Sequence, residues 1–232
     1  MKNNRKSRVK AAMLVASASV AALGMSEAAV TAVNFLGTGY APLGATVTAD
    51  AYGVAVADWT NQNVGNGAGT VTVNGMAFSW TCSNDWNQNG TPSAGEGEVN
   101  YGYIDDTGSN SSLTITGISA WLAATPGATA YTIQMVQSSD NATGFPDSAV
   151  SVSDGGAALG TFTNGTTGGG GKLGGATNAL TLTSDTLFIE PGDRNGSLRG
   201  TIAGVIITSV PEPSIAALLG LGGLALIRRR RR

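Results

Sequence analysis

The sequence predicts an all-β fold, an antiparallel β-sandwich, over residues 29–209. Three observations predict it. Short runs that alternate apolar and polar residues recur, and no apolar stripe of helical period accompanies them. Clusters of Gly, Asn, Asp and Pro separate the runs as turns. The body between the two chain ends is about 180 residues long, enough for a single core.

The clearest element is the segment Thr70–Trp80. Asn74-Gly75 is the preferred pair for a two-residue type I′ hairpin. In that register Val73 faces Met76 and Val71 faces Phe78, so the apolar side chains share one face and Thr and Ser the other. Further strands are expected at Ser112–Thr116, Tyr131–Met135, Ala149–Val152, Leu180–Thr183, Thr186–Ile189 and Thr201–Thr208. Turns are expected at Asp106-Thr107-Gly108, Thr125-Pro126-Gly127 and Asp154-Gly155-Gly156. The last strand is expected to end at Ser209, which stops the folded body just above Pro211. Cys82 alternates with Met76, Phe78 and Trp80 and reads as a small buried hydrophobe. As the sole cysteine, it has no partner for an intramolecular disulfide.

Both chain ends read as addresses. Lys2, Arg5, Lys6, Arg8 and Lys10 precede the apolar stretch Ala11–Gly24, and Ser26-Glu27-Ala28 puts small residues at −3 and −1. Residues 1–28 are therefore expected to be a signal peptide, removed by signal peptidase after Ala28. Residues 210–232 hold three parts in order. Pro211-Glu212-Pro213 cannot be helical, because the prolines fix φ and Pro213 pushes Glu212 toward an extended backbone. The uncharged run Ile215–Ile227 is expected to enter the membrane, although as a helix it spans only about 20 Å against roughly 30 Å of hydrocarbon. Arg228, Arg229, Arg230, Arg231 and Arg232 then hold the end on the cytoplasmic side.

That order of tripeptide, apolar run and arginines closely resembles the PEP-CTERM sorting signal, the substrate tag of exosortases in Gram-negative bacteria that secrete exopolysaccharide. The resemblance implies export, transient anchoring in the inner membrane with the passenger in the periplasm, and cleavage at or near Pro211-Glu212-Pro213. The released protein would reach the cell surface or the extracellular biofilm matrix. The passenger pattern is also similar to the jelly-roll domains common in such proteins, a likeness of fold alone.

With both ends removed the charge changes character. The whole chain has a net charge of −2, but residues 29–210 keep only Lys172, Arg194 and Arg199 against 13 acidic residues, a net charge of −10. Such a surface repels phosphate backbones, so nucleic acid is not an expected partner. The chain has no histidine, which excludes every histidine-based triad or zinc site. The carboxylate pairs Glu96/Glu98 and Asp105/Asp106 could serve a glycosidase only if they converged. A non-catalytic protein is expected. The stretch Thr166–Gly175 spells part of a dinucleotide fingerprint without a strand-to-helix context, and reads as a flexible surface loop.

One segment has the spacing of a calcium loop. Asp85, Asn87 and Asn89 stand at positions 1, 3 and 5, Thr91 at 7, Ser93 at 9 and Glu96 at 12. Only Asp85 and Glu96 are charged, so the expectation is weak Ca²⁺ binding or a plain polar loop, and no other cofactor is indicated. Trp59 and Trp86 lie among Asn and Gln, where aromatic rings serve as stacking platforms for sugars. Trp80 and Trp121 sit in apolar surroundings and are expected in the core. The function these readings support is structural or adhesive. A carbohydrate-binding module, with or without calcium, is the alternative, and a glycan-active enzyme comes third.

Overall fold

The computed structural model describes residues 27–38, 46–82, 84–87, 91–105, 111–139, 150–162, 173–190 and 201–212. The expected signal peptide up to residue 26, and the chain from Pro213 through the apolar run to the arginines, lie outside the described residues. No helix among the described residues is long and apolar enough to cross a membrane.

The described chain is mostly β, with fifteen strands and two short α-helices, Glu96–Val99 and Ile118–Ala123. The first sheet holds β1 (Val30–Gly37), β2 (Trp59–Val64), β8 (Ala128–Ser139), β11 (Leu173–Ala176), β12 (Leu180–Leu182) and β15 (Gly204–Pro211). Its order is β11-β8-β15-β1-β2, with β12 also paired to β8. The second runs β10-β9-β13-β7-β4-β3: β10 (Ala158–Phe162), β9 (Val150–Ser153), β13 (Leu187–Glu190), β7 (Ser112–Thr116), β4 (Met76–Cys82) and β3 (Gly67–Val73). A small third sheet pairs β14 (Thr201–Ile202), β6 (Gly102–Asp105) and β5 (Asn84–Asn87).

Neighbouring strands pair antiparallel except β1 and β2, which are parallel. This departs from the purely antiparallel expectation. Residues 38–58 form a connection long enough to return the chain to the same end of the sheet, which a tight hairpin cannot do.

Residues from both large sheets share one apolar core. Val33, Phe35, Ile133, Met135 and Val205 come from the first sheet, and Met76, Phe78, Leu113, Ile115, Val152 and Ile189 from the second. Each is fully buried or nearly so, and each such side chain contributes about 1.5–3 kcal/mol of transfer free energy. Cys82, Trp80 and Trp121 belong to the same core, as their sequence contexts indicate. The opposite face of the first sheet is covered as well. Ala32, Val136 and Ile206 pack there with Val47, Ala51, Val54, Trp59, Val99 and Tyr103. The first sheet is therefore buried on both sides, and the segment from Thr46 to Asp58 works as a strap across its outer face.

The Asn74-Gly75 hairpin forms in the expected register, Val73 opposite Met76 and Val71 opposite Phe78. Both turn residues have positive φ, 51° and 82°, as a type I′ turn requires. Opposite Trp80 on β3 stands Gly69, and a Cβ there would overlap the Trp80 ring. That ring meets Phe35 edge-to-face, with centroids 6.2 Å apart. Gly69→Ala is expected to displace Trp80 and cost about 1–3 kcal/mol, read as a lower urea midpoint together with a shift in tryptophan emission.

One expectation is corrected within the glycine-rich stretch. Residues 163–172 lie outside the described residues, but Leu173–Ala176 is strand β11 and pairs with Val136–Ser139 of β8. A Cβ at Gly174 would overlap the Asn100 side chain, so glycine there permits close packing.

Candidate functional site

Sequence reading singled out the calcium-like loop, two tryptophans and the sorting tripeptide. The structure gives each a different fate. Asp85 lies in β5 and is 2% exposed. Its carboxylate accepts hydrogen bonds from the Thr38 N–H and from Thr38 Oγ1 at 3.0 Å, and its own N–H donates to Asn66 Oδ1 at 3.0 Å. Asn87 ends the same strand, opposite Gly102, and Asn89 lies outside the described residues. Thr91, Ser93 and Glu96 are exposed. Burial, opposed by a hydrogen bond to Asn100 and reinforced by the Glu96 carboxylate, pushes the Tyr52 hydroxyl up to about 12. The two charged ends of the loop thus differ in setting: the Asp85 carboxylate is buried and held by Thr38, whereas Glu96 is exposed. Among the described residues no group of three His, Cys, Asp or Glu comes together.

A second inward carboxylate of this region is Glu98, 8% exposed. It accepts from the Thr48 N–H at 2.7 Å, from Thr48 Oγ1 at 2.6 Å and from the Gly95 N–H at 2.8 Å. Burial raises its pKa, but these bonds outweigh burial and hold the carboxyl below its ordinary 4.5. Glu98 therefore clamps the strap to the start of the helix Glu96–Val99.

Trp59 is corrected as a sugar platform. It is 6% exposed and packs in the second core with Val99, Tyr103 and Ile206. Its neighbours along the chain are polar, whereas its neighbours in space are apolar. Trp86 lies in β5 opposite Tyr103, and its side chain is outside the described residues.

A face that sequence reading missed is the outer side of the second sheet. Thr70 stands opposite Ser79, with their hydroxyls 2.9 Å apart. Thr81 stands opposite Ser112, also with hydroxyls 2.9 Å apart. Thr114 follows opposite Ser79. Together with Ala68, Gly69 and Trp80 these residues line a shallow depression of about 350 Å³. No charged side chain lines it, although residues 29–210 carry a net charge of −10. Phe188, paired with Thr114 in register, is 39% exposed beside it. The signal for this face was in the sequence: the polar half of the β3–β4 alternation is all Thr, Ser and Ala, and β7 adds more of the same.

The sorting tripeptide begins inside the fold. β15 continues through Pro211, past the expected end at Ser209, with Val210 opposite Ala130 and Pro211 opposite Ala128 across a register shift. Glu212 then donates its N–H to the Gly127 carbonyl at 2.7 Å, and its Oε1 accepts from Thr129 Oγ1 at 2.9 Å. The strand tolerates the proline because β1, its neighbour on the other side, has already run out: Val30, the first residue of β1, faces Thr208. A missing N–H at a strand end removes no ladder bond. On that side Ala29 accepts the Ser209 N–H at 2.9 Å and donates its own N–H to Ser209 Oγ at 2.8 Å. The residue expected to begin the mature chain therefore sits against the strand that carries the tail.

Comparison with known proteins agrees on the tail and says little about the body. Residues 209–232 match the family model for the PEP-CTERM protein-sorting motif. No curated protein matches. Among solved structures the chain is similar to protein YXIM of Bacillus subtilis, with 14% identity over 80% of this chain and 41% of that one, at a TM-score of 0.38. The chain thus spans less than half the length of that protein.

Proposed function

We propose that this protein, exported and processed by an exosortase as its PEP-CTERM motif indicates, serves as a non-catalytic adhesive component of the cell surface or exopolysaccharide matrix. In this reading the two large sheets form a β-sandwich that holds neutral polysaccharide on the outer face of the second sheet. The observation that carries it is the uncharged depression lined by Thr70, Ser79, Thr81, Ser112 and Thr114. Hydroxyls both donate and accept, which matches the hydroxyls of sugar rings, and Phe188 offers an aromatic surface next to them. The net charge of −10 on residues 29–210 disfavours acidic polymers at low ionic strength.

The test is retention of the protein on immobilised neutral polysaccharide, with and without EDTA. Thr114→Glu puts a charge on the β7 side of the depression and is expected to weaken retention about tenfold, the loss of one or two hydrogen bonds plus desolvation. Equal retention of wild type and Thr114→Glu would remove the face from consideration. Loss of retention in EDTA would favour the calcium-assisted alternative, and release of soluble sugars would favour an enzyme.

A further inference from the structure

The sorting motif is latched to the body by residues of the body itself. Pro211 pairs with Ala128 in the sheet, Glu212 bonds through its N–H to Gly127 and through its carboxylate to Thr129. Only Pro213 and Ser214 separate Glu212 from the apolar run at Ile215, a reach of at most about 7–10 Å of extended chain. A protease that must grip backbone on both sides of a bond near this motif therefore meets chain already engaged by the sheet. Hydrogen-bonded strand backbone is cut through its opened form, at a rate that follows the population of that form.

We propose that tail removal proceeds through a frayed state in which Pro211 and Glu212 leave β8, and that Thr129 is the positioning residue that sets how often this state opens. The proposal rests on the reading that the PEP-CTERM tail is processed at this motif, and it adds the body as a regulator of the rate. Fraying is local: β15 keeps β1 and β8 as neighbours from Gly204 to Thr208, so detaching its last two residues leaves the core intact. Thr129 is exposed, so its hydroxyl contributes to the latch and not to the core.

The experiment is a pulse-chase of the full chain in an exosortase-bearing bacterium, following conversion from the tailed to the shortened mass. Thr129→Val removes the bond to the Glu212 carboxylate and is expected to speed conversion roughly two- to fivefold, the weight of one partly exposed hydrogen bond. Thr129→Lys replaces it with an ion pair and is expected to slow conversion by roughly a factor of two. Unchanged rates in both variants, or shifts in the same direction, would overturn the latch. The double variant Pro211→Ala with Glu212→Ala serves as the arm that separates the two ideas. If it blocks conversion while the Thr129 variants change nothing, the sorting reading stands and the latch falls. If it converts normally, cleavage does not use this motif and both fall.

Discussion

Pro211→Ala combined with Glu212→Ala is expected to leave the protein exported but held in the membrane fraction at its tailed mass, with the shortened form absent from the medium and the matrix. Fractionation followed by mass determination checks it. Two physical effects act on this variant, and they have opposite signs. Alanine at 212 removes the carboxylate that Thr129 holds, which loosens the end of β15 and would speed cutting if access alone mattered. Alanine at both positions also removes the fixed φ of proline and the only charge between Ser209 and Arg228, the features that a protease reading this motif can grip. Retention despite a looser strand end would show that recognition dominates access. The body should hardly notice. Glu212 is exposed and Pro211 only partly buried, so the change in folding stability is expected within about 1 kcal/mol. Loss of the protein altogether would signal a folding defect, which the melting temperature of the purified variant would reveal.

What could be read from the sequence followed from how local the cause was. The Asn74-Gly75 hairpin was legible because turn chemistry and alternation agree within eleven residues and fix the register alone. β1 was not. It is buried from Thr31 to Gly37 because both faces of the first sheet are covered, and a strand buried on both faces loses its alternation. β2 reads Trp-Thr-Asn-Gln-Asn-Val and has little strand propensity. It exists through parallel pairing with β1, supported by a hydrogen bond from Asn34 Nδ2 to Asn61 Oδ1 at 3.0 Å. Trp59 was misread for the same reason, since the strap that buries it is remote from any pattern around it. The tail shows the same contrast. Its order of proline, apolar run and arginine is linear and was legible, whereas the engagement of Glu212 depends on Thr129, 83 residues earlier in the chain.

Glu98 supplies the second large effect, and the sequence pointed to its neighbour instead. The spacing of a calcium loop selects Glu96, yet Glu96 is exposed, while Glu98 takes three donors in a buried setting. Its removal strands the Thr48 N–H and hydroxyl and the Gly95 N–H near the second core, and frees the strap that carries Val47, Ala51 and Val54 onto that core. Glu98→Ala is therefore expected to cost about 2–4 kcal/mol, the loss of charge-assisted bonds together with unsatisfied donors. Glu98→Gln keeps the shape and one acceptor oxygen, so a cost of about 1–2 kcal/mol is expected. Glu96→Gln is expected within about 0.5 kcal/mol of wild type. The pH dependence tests the cause. The folded pKa of Glu98 lies below its ordinary 4.5, so the unfolded chain takes up a proton first as the pH falls. The carboxylate's contribution is thus complete above the unfolded value and disappears as the pH drops through the folded one. The stability gap between wild type and Glu98→Gln should be constant from pH 7 to about 5 and close progressively below about 4.5. Asp154, whose carboxyl is lowered by the N–H groups of Ala157 and Gly156, titrates alike in both proteins and cancels from the difference. Urea unfolding of the two proteins at a series of pH values gives the comparison directly, and a gap that does not narrow at all as the pH falls below about 4.5 would mean that Glu98 acts through its shape and not through its charge.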